Sequence, residues 1–105
     1  MPILPATHQL KTDGAVFDAV AQGLKTYELR YDDRGYQVGD GLLLCKTKYT
    51  GAEMAAGAPL EYTGDTIGCK VVHILKGPIY GLIDGWCLMS LEILEVNTVG
   101  YTSTP

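Results

Sequence analysis

The sequence predicts a mainly β, α+β domain: a small mixed β-barrel of five to six strands with one helix packed at its end. Three observations lead there. A single short segment near the N-terminus carries a helical apolar stripe. The rest is a succession of alternating or β-branched stretches separated by glycine-bearing turns. The chain has 105 residues, 47% hydrophobic and 19% charged, which suits one ordinary core without a metal or disulfide staple.

Taken in order, THQLKT (7–12) reads as a first strand. Asp13 then reads as an N-cap whose carboxylate accepts from the first turn of a helix. Val16, Ala19 and Val20 form the apolar stripe, and Gly23 ends the helix, which therefore covers 14–22. KTYELRYDD alternates: Tyr27, Leu29 and Tyr31 point one way, and Thr26, Glu28 and Arg30 the other. A turn at Gly39-Asp40-Gly41 leads into a strand from Leu42. Residues 49–61 read as a surface loop with a helical turn around Ala52–Ala56. TIGCKVVHILKG is a β-branched strand stopping at Gly77-Pro78, IYGLIDG a loop or hairpin connection, and WCLMSLEILEV a last strand with Trp86 as a core anchor. The polar tail NTVGYTSTP is expected to be frayed or paired only in part.

Charge and composition narrow the function. The net charge is −4, which disfavours a broad electrostatic grip on duplex DNA. It is unevenly spread: residues 1–48 carry six basic and six acidic side chains, the remainder two basic and six acidic. An anion site is therefore local and in the first half. The acidic second half would suit a basic protein partner. Three cysteines with no CxxC pair indicate neither a disulfide framework nor a zinc site, and each reads as a reduced, buried strand residue. No apolar run reaches a membrane-spanning length, and MPILPATH does not read as a signal peptide, so no membrane association and a cytoplasmic location are the expectation. No residue spacing points to a metal or a cofactor.

GLKTYELR (23–30) has the G-x-K-x-x-E-x-R form of the ASCH domain, a member of the PUA-like superfamily. It is followed by YDDRGYQVGD and, before the last strand, by GLIDGWCLMSLEIL. Over about residues 7–95 the chain resembles a branch of small ASCH-like proteins of bacteria and their phages. The resemblance implies a PUA-like barrel with a helix before the signature, a cleft beside it, and a ligand that is RNA or a small nucleotide or nucleoside. It also implies an alternative. One ASCH group hydrolyses acetylcytidine nucleosides with a lysine, a threonine three residues later and a distant glutamate. Here Lys25 matches the lysine and Glu28 stands in the threonine's place. In an enzyme, Lys25 and Glu28 would be catalytic, with a glutamate or water replacing the hydroxyl. A phage-type factor that sequesters a nucleotide or a host protein is a third possibility.

The residues themselves allow a pocket. Glu28 and Arg30 share a strand face about 7 Å apart. Lys25 has opposite parity, and joins them only if the chain turns or bulges at the helix-to-strand junction. An arginine fork suits phosphate or carboxylate, and a buried glutamate can accept from a base. A plain Glu28–Arg30 ion pair sealing one barrel end is the structural alternative. Thr26 and Tyr27 lie within the signature. Arg34 is either a solvated turn residue or a phosphate contact at the cleft mouth. Tyr27, Tyr31, Tyr36 and Tyr49 offer base stacking or sheet packing. His8 and His73 read as packed histidines, though His73, sharing parity with Val71 and Leu75, could reach the pocket as an acid–base group. The expected ligand-binding set is thus Lys25, Thr26, Tyr27, Glu28, Arg30, Arg34 and His73.

Overall fold

The computed structural model describes residues 5–99. The elements are β1 (Thr7–Thr12), α1 (Gly14–Ala21), β2 (Tyr27–Tyr31), β3 (Gly41–Thr47), α2 (Gly51–Ala55), β4 (Tyr62–Lys76) and β5 (Trp86–Asn97). Five strands form one sheet in the order β1-β3-β4-β5-β2. β1 and β3 run parallel, and every other pair is antiparallel. The sheet curls into a half-barrel, in line with the mainly β barrel expected. The polar tail expected to be frayed or paired only in part falls, from residue 100 onward, outside the described residues.

Alternation places the core. Leu42 and Leu44 of β3, Ile67, Cys69 and Val71 of β4, and Cys87, Met89 and Leu91 of β5 all point into the curl. Phe17 and Val20 of α1 close over them. The helical stripe is therefore shifted by one residue from the expectation: Phe17, three before Val20, enters the core, and Val16 is only half-buried. Lys46 of β3 ties α1 down, with Nζ 3.0 Å from Asp18 Oδ1 and over the Phe17 ring. Gly23, at φ +77°, supplies the left-handed residue that ends the helix. Asp13 sits at the N-cap position but makes no capping bond there. Its Oδ1 instead accepts from the Gly51 amide at 2.9 Å, at the start of α2. α2 has its own cap, since Thr50 and Glu53 form a reciprocal capping box.

Two bulges bend the long strands. Val71 pairs with Leu91 and His73 with Ser90, so Val72 is an extra residue in β4. Gly68 pairs with Glu95 and Cys69 with Ile93, so Leu94 is extra in β5. The first bulge reverses the parity of β4. Val71 faces the core, His73 faces out, and Ile74 packs against the core instead. The shared parity of Val71, His73 and Leu75 expected from an unbroken strand is thereby corrected.

The turn before β3 is held by Asp40, which is buried. Its carboxylate accepts from the amides of Ala6 (3.2 Å) and Gln37 (3.0 Å) and faces His8 Nε2 at 2.9 Å. The His8 ring also meets Tyr36 edge to face, 4.9 Å between centroids. Burial by itself would raise the Asp40 pKa, but the bonds from His8, Gln37 and Ala6 outweigh it and hold the pKa below the ordinary 3.8. A depressed carboxylate stabilises the fold fully above its unfolded-state pKa, and the gain is lost as pH falls through the folded-state value. Asp40→Asn should cost about 1–3 kcal/mol near neutrality. In urea titrations run at decreasing pH, the gap between wild type and variant should close below about pH 4. A gap independent of pH would refute this assignment.

Candidate functional site

β1 and β2 are the two edges of the sheet, and no ladder joins them among the described residues. A strand edge presents backbone N–H and C=O groups that lack a neighbour. Two arginines reach across this seam. Arg30 Nη2 donates to the Lys11 carbonyl at 3.0 Å, and Arg34 Nη1 donates to the Gln9 carbonyl at 2.7 Å. Gln9 and Lys11 are two residues apart, so both carbonyls leave the same edge of β1. Between the strands lies a cleft of about 500 Å³, within the range of small-ligand sites.

Glu28 lies at the base of this cleft and is 2% exposed. A buried carboxylate needs compensating charge or hydrogen bonds. Each of its oxygens has a cation: Lys25 Nζ is 3.0 Å from Oε1, and Arg30 Nε is 3.0 Å from Oε2. Lys25 gets there because it precedes β2. Its amide, like that of Leu24, still donates to the Ala19 carbonyl at the end of α1. From that turn its side chain reaches Glu28 and donates to the Tyr27 carbonyl, with Nζ also 4.6 Å from the Tyr27 ring centroid. The junction supplies the turn that the opposed parities of Lys25 and Glu28 require.

The cluster keeps donors to spare. Arg30 commits Nε and Nη2, and its Nη1 has no partner among the described residues. Four cations line the cleft (Lys11, Lys25, Arg30 and Arg34) against three carboxylates (Asp13, Glu28 and Asp33). The cleft is thus locally cationic in a chain of net charge −4. Tyr36 is buried at its wall, and burial raises its phenol pKa against the opposing pull of Arg34 and Arg30. Cys69 is pushed up to about 11, first by burial and then by the Glu28 carboxylate, so it is a neutral thiol at physiological pH and no nucleophile. Among the described residues no group of three or more His, Cys, Asp or Glu side chains could hold a metal ion.

Four of the seven expected site residues converge here: Lys25, Glu28, Arg30 and Arg34. Thr26 and Tyr27 are exposed and stand beside the cleft, not in its wall. The Thr26 carbonyl extends the β2–β5 pairing by accepting from the Leu91 amide. His73 is exposed on the outer face of β4, away from the cleft, because of the Val72 bulge. Trp86 was expected in the core. It is instead 39% exposed and lines the cleft beside Tyr31. The signal for this is in the last strand: Cys87, Met89 and Leu91 take the inward positions, so Trp86 must face out.

Residues 7–91 match the model of a protein family described as a domain of unknown function, DUF3850. No curated protein matches the chain.

Replacing the buried carboxylate tests the cluster. Glu28→Gln preserves shape but leaves Lys25 and Arg30 facing each other without a counter-charge. The expected loss of unfolding free energy is about 1–3 kcal/mol, as both cations keep some water contact. A urea titration measures it, and an unchanged midpoint would show that the ion triad contributes nothing.

Proposed function

The chain belongs to the DUF3850 family, and we propose that it is an RNA- or nucleotide-binding module whose ligand occupies the seam cleft. The observation that carries this reading is the Lys25–Glu28–Arg30 cluster with its spare donors. Arg30 is held rigidly by Glu28 and the Lys11 carbonyl, so its remaining N–H groups are pre-aimed and lose little entropy on binding an anion. Arg34 adds a second fork along the same edge. The Glu28 oxygens are already engaged by cations, so the carboxylate serves chiefly to fix them in place. The resemblance of GLKTYELR to the ASCH signature supports the same kind of ligand.

The chemistry favours binding over turnover. A hydrolase of acetylated nucleosides of the ASCH type needs a hydroxyl nucleophile beside its lysine. Glu28 occupies that place, and attack by its carboxylate on an amide would give a labile anhydride. Lys25 Nζ is already committed to Glu28 and the Tyr27 carbonyl, contacts that suit a positioning role. A cleft of about 500 Å³ in an acidic chain also disfavours an extended grip on duplex DNA.

Calorimetric titration with nucleosides, nucleotides and short RNAs tests the proposal. Arg30→Ala should weaken an anionic ligand by roughly 10- to 100-fold, the worth of a charged hydrogen bond. Glu28→Ala should weaken it less. Strong duplex DNA binding at physiological salt would contradict the proposal. So would rapid deacetylation of acetylcytidine, followed by chromatography and abolished by Lys25→Ala.

A further inference from the structure

On the reading just given, the ligand meets the polar half of the seam cleft, and the other half is aromatic. Tyr31 and Trp86 are cross-strand partners in the β2–β5 ladder, and both line the cleft. Their ring centroids are 6.1 Å apart and their planes 35° apart. At that separation the rings already touch each other, so no flat group fits between them. Together they present one tilted surface. It is not core: Tyr31 is 55% exposed and Trp86 39% exposed. Other aromatics of the chain, such as Tyr62 and Tyr80, are exposed too, but Tyr31 and Trp86 are paired and line the cleft.

The surface is also fixed in place. The Tyr31 ring lies over Gly85, where an added Cβ would stand 3.2 Å from Tyr31 Cε2. Gly85 has φ +86°, and its carbonyl accepts from the Asp32 amide at 2.8 Å. Trp86 is anchored on both sides of its backbone, donating to Ile83 and accepting from Gly77. The aromatic surface thus lines the same cleft as Arg30, whose Nη1 has no partner among the described residues.

We infer that the Tyr31–Trp86 surface is the nucleobase subsite of this cleft, so that the ligand is a phosphate-bearing nucleotide, free or within single-stranded RNA. The base lies flat on the exposed ring surface while its phosphate meets Arg30 and Arg34. A base with a π-face suits the platform whatever its edge, so the subsite selects for the presence of a base more than for its identity. A base-paired duplex offers no free face and is rejected.

Trp86 is the only tryptophan in the chain, so its fluorescence reports on this surface alone. The probes are the nucleoside 5′-monophosphates and short single-stranded RNA, with ribose 5-phosphate and inorganic polyphosphate as base-free counterparts. The base-bearing probes should quench Trp86 and bind more tightly than their counterparts. By calorimetry, Trp86→Ala and Tyr31→Ala should each weaken the base-bearing probes roughly 5- to 100-fold. Neither should change ribose 5-phosphate binding, and Trp86→Phe should retain most of the affinity. An unchanged thermal midpoint for one of the two alanine variants establishes that the loss is local. Equal affinity for base-bearing and base-free probes, unaffected by Trp86→Ala, overturns the base subsite and leaves the anion cleft standing. Failure of every probe to bind overturns both.

Discussion

A sheet that curls without closing leaves two edges, and their unpaired backbone groups have to be satisfied by something other than a strand. In this protein the edges are β1 and β2, and the solution is arginine. Arg30 and Arg34 lay guanidinium groups across the gap onto the Lys11 and Gln9 carbonyls. An arginine can do this and still present further N–H groups, which a backbone amide cannot. The same constraint explains Glu28. A guanidinium aimed inward at a strand edge needs a counter-charge nearby, and the Glu28 carboxylate supplies it while also holding Lys25. Closure of the fold and assembly of the cleft are therefore one arrangement of side chains.

That arrangement also reconciles an acidic chain with the anion site proposed for the cleft. The overall field repels polyanions at a distance, and physiological salt screens it beyond about 8 Å. Within the seam, the partial burial of Lys25 and Arg30 against Glu28 makes these two cations count for more. On the proposed reading, such a cleft would discriminate by contact and not by long-range attraction. The burial of Glu28 has a second effect, on Cys69, whose thiol is pushed up to about 11 by burial and by that carboxylate and so stays inert.

Much of this was legible in the sequence, and the exceptions have physical causes. The alternation in TYELRY put Glu28 and Arg30 on one face, and the helix-to-strand junction gave Lys25 its route to them. What alternation cannot reveal is a break in alternation. The extra residue Val72 turned His73 outward, and no residue type in KVVHILK marks the bulge. Trp86 defies its sequence context for another reason. Its size argues for burial, but β5 already had its inward positions filled by Cys87, Met89 and Leu91. Phe17 was missed because three smaller residues made a competing stripe on the same short helix. Arg34 illustrates a third limit, since a turn residue gives no clue that its side chain will find the edge of a strand distant in sequence.

The seam has a consequence for the order in which the molecule comes together. The β3, β4 and β5 strands pair with sequence neighbours, so that meander can form early. β2 pairs with β5 only when Tyr27 meets Ser90, and β1 with β3 only when Thr7 meets Gly41, across longer loops. Each outer strand is then held by a single ladder, and such strands open at lower free energy than a sheet centre. The cleft exists only while both are docked. On the proposed reading, ligand binding would depend on both outer strands being docked, and a ligand spanning the seam would fasten these two singly paired strands to each other.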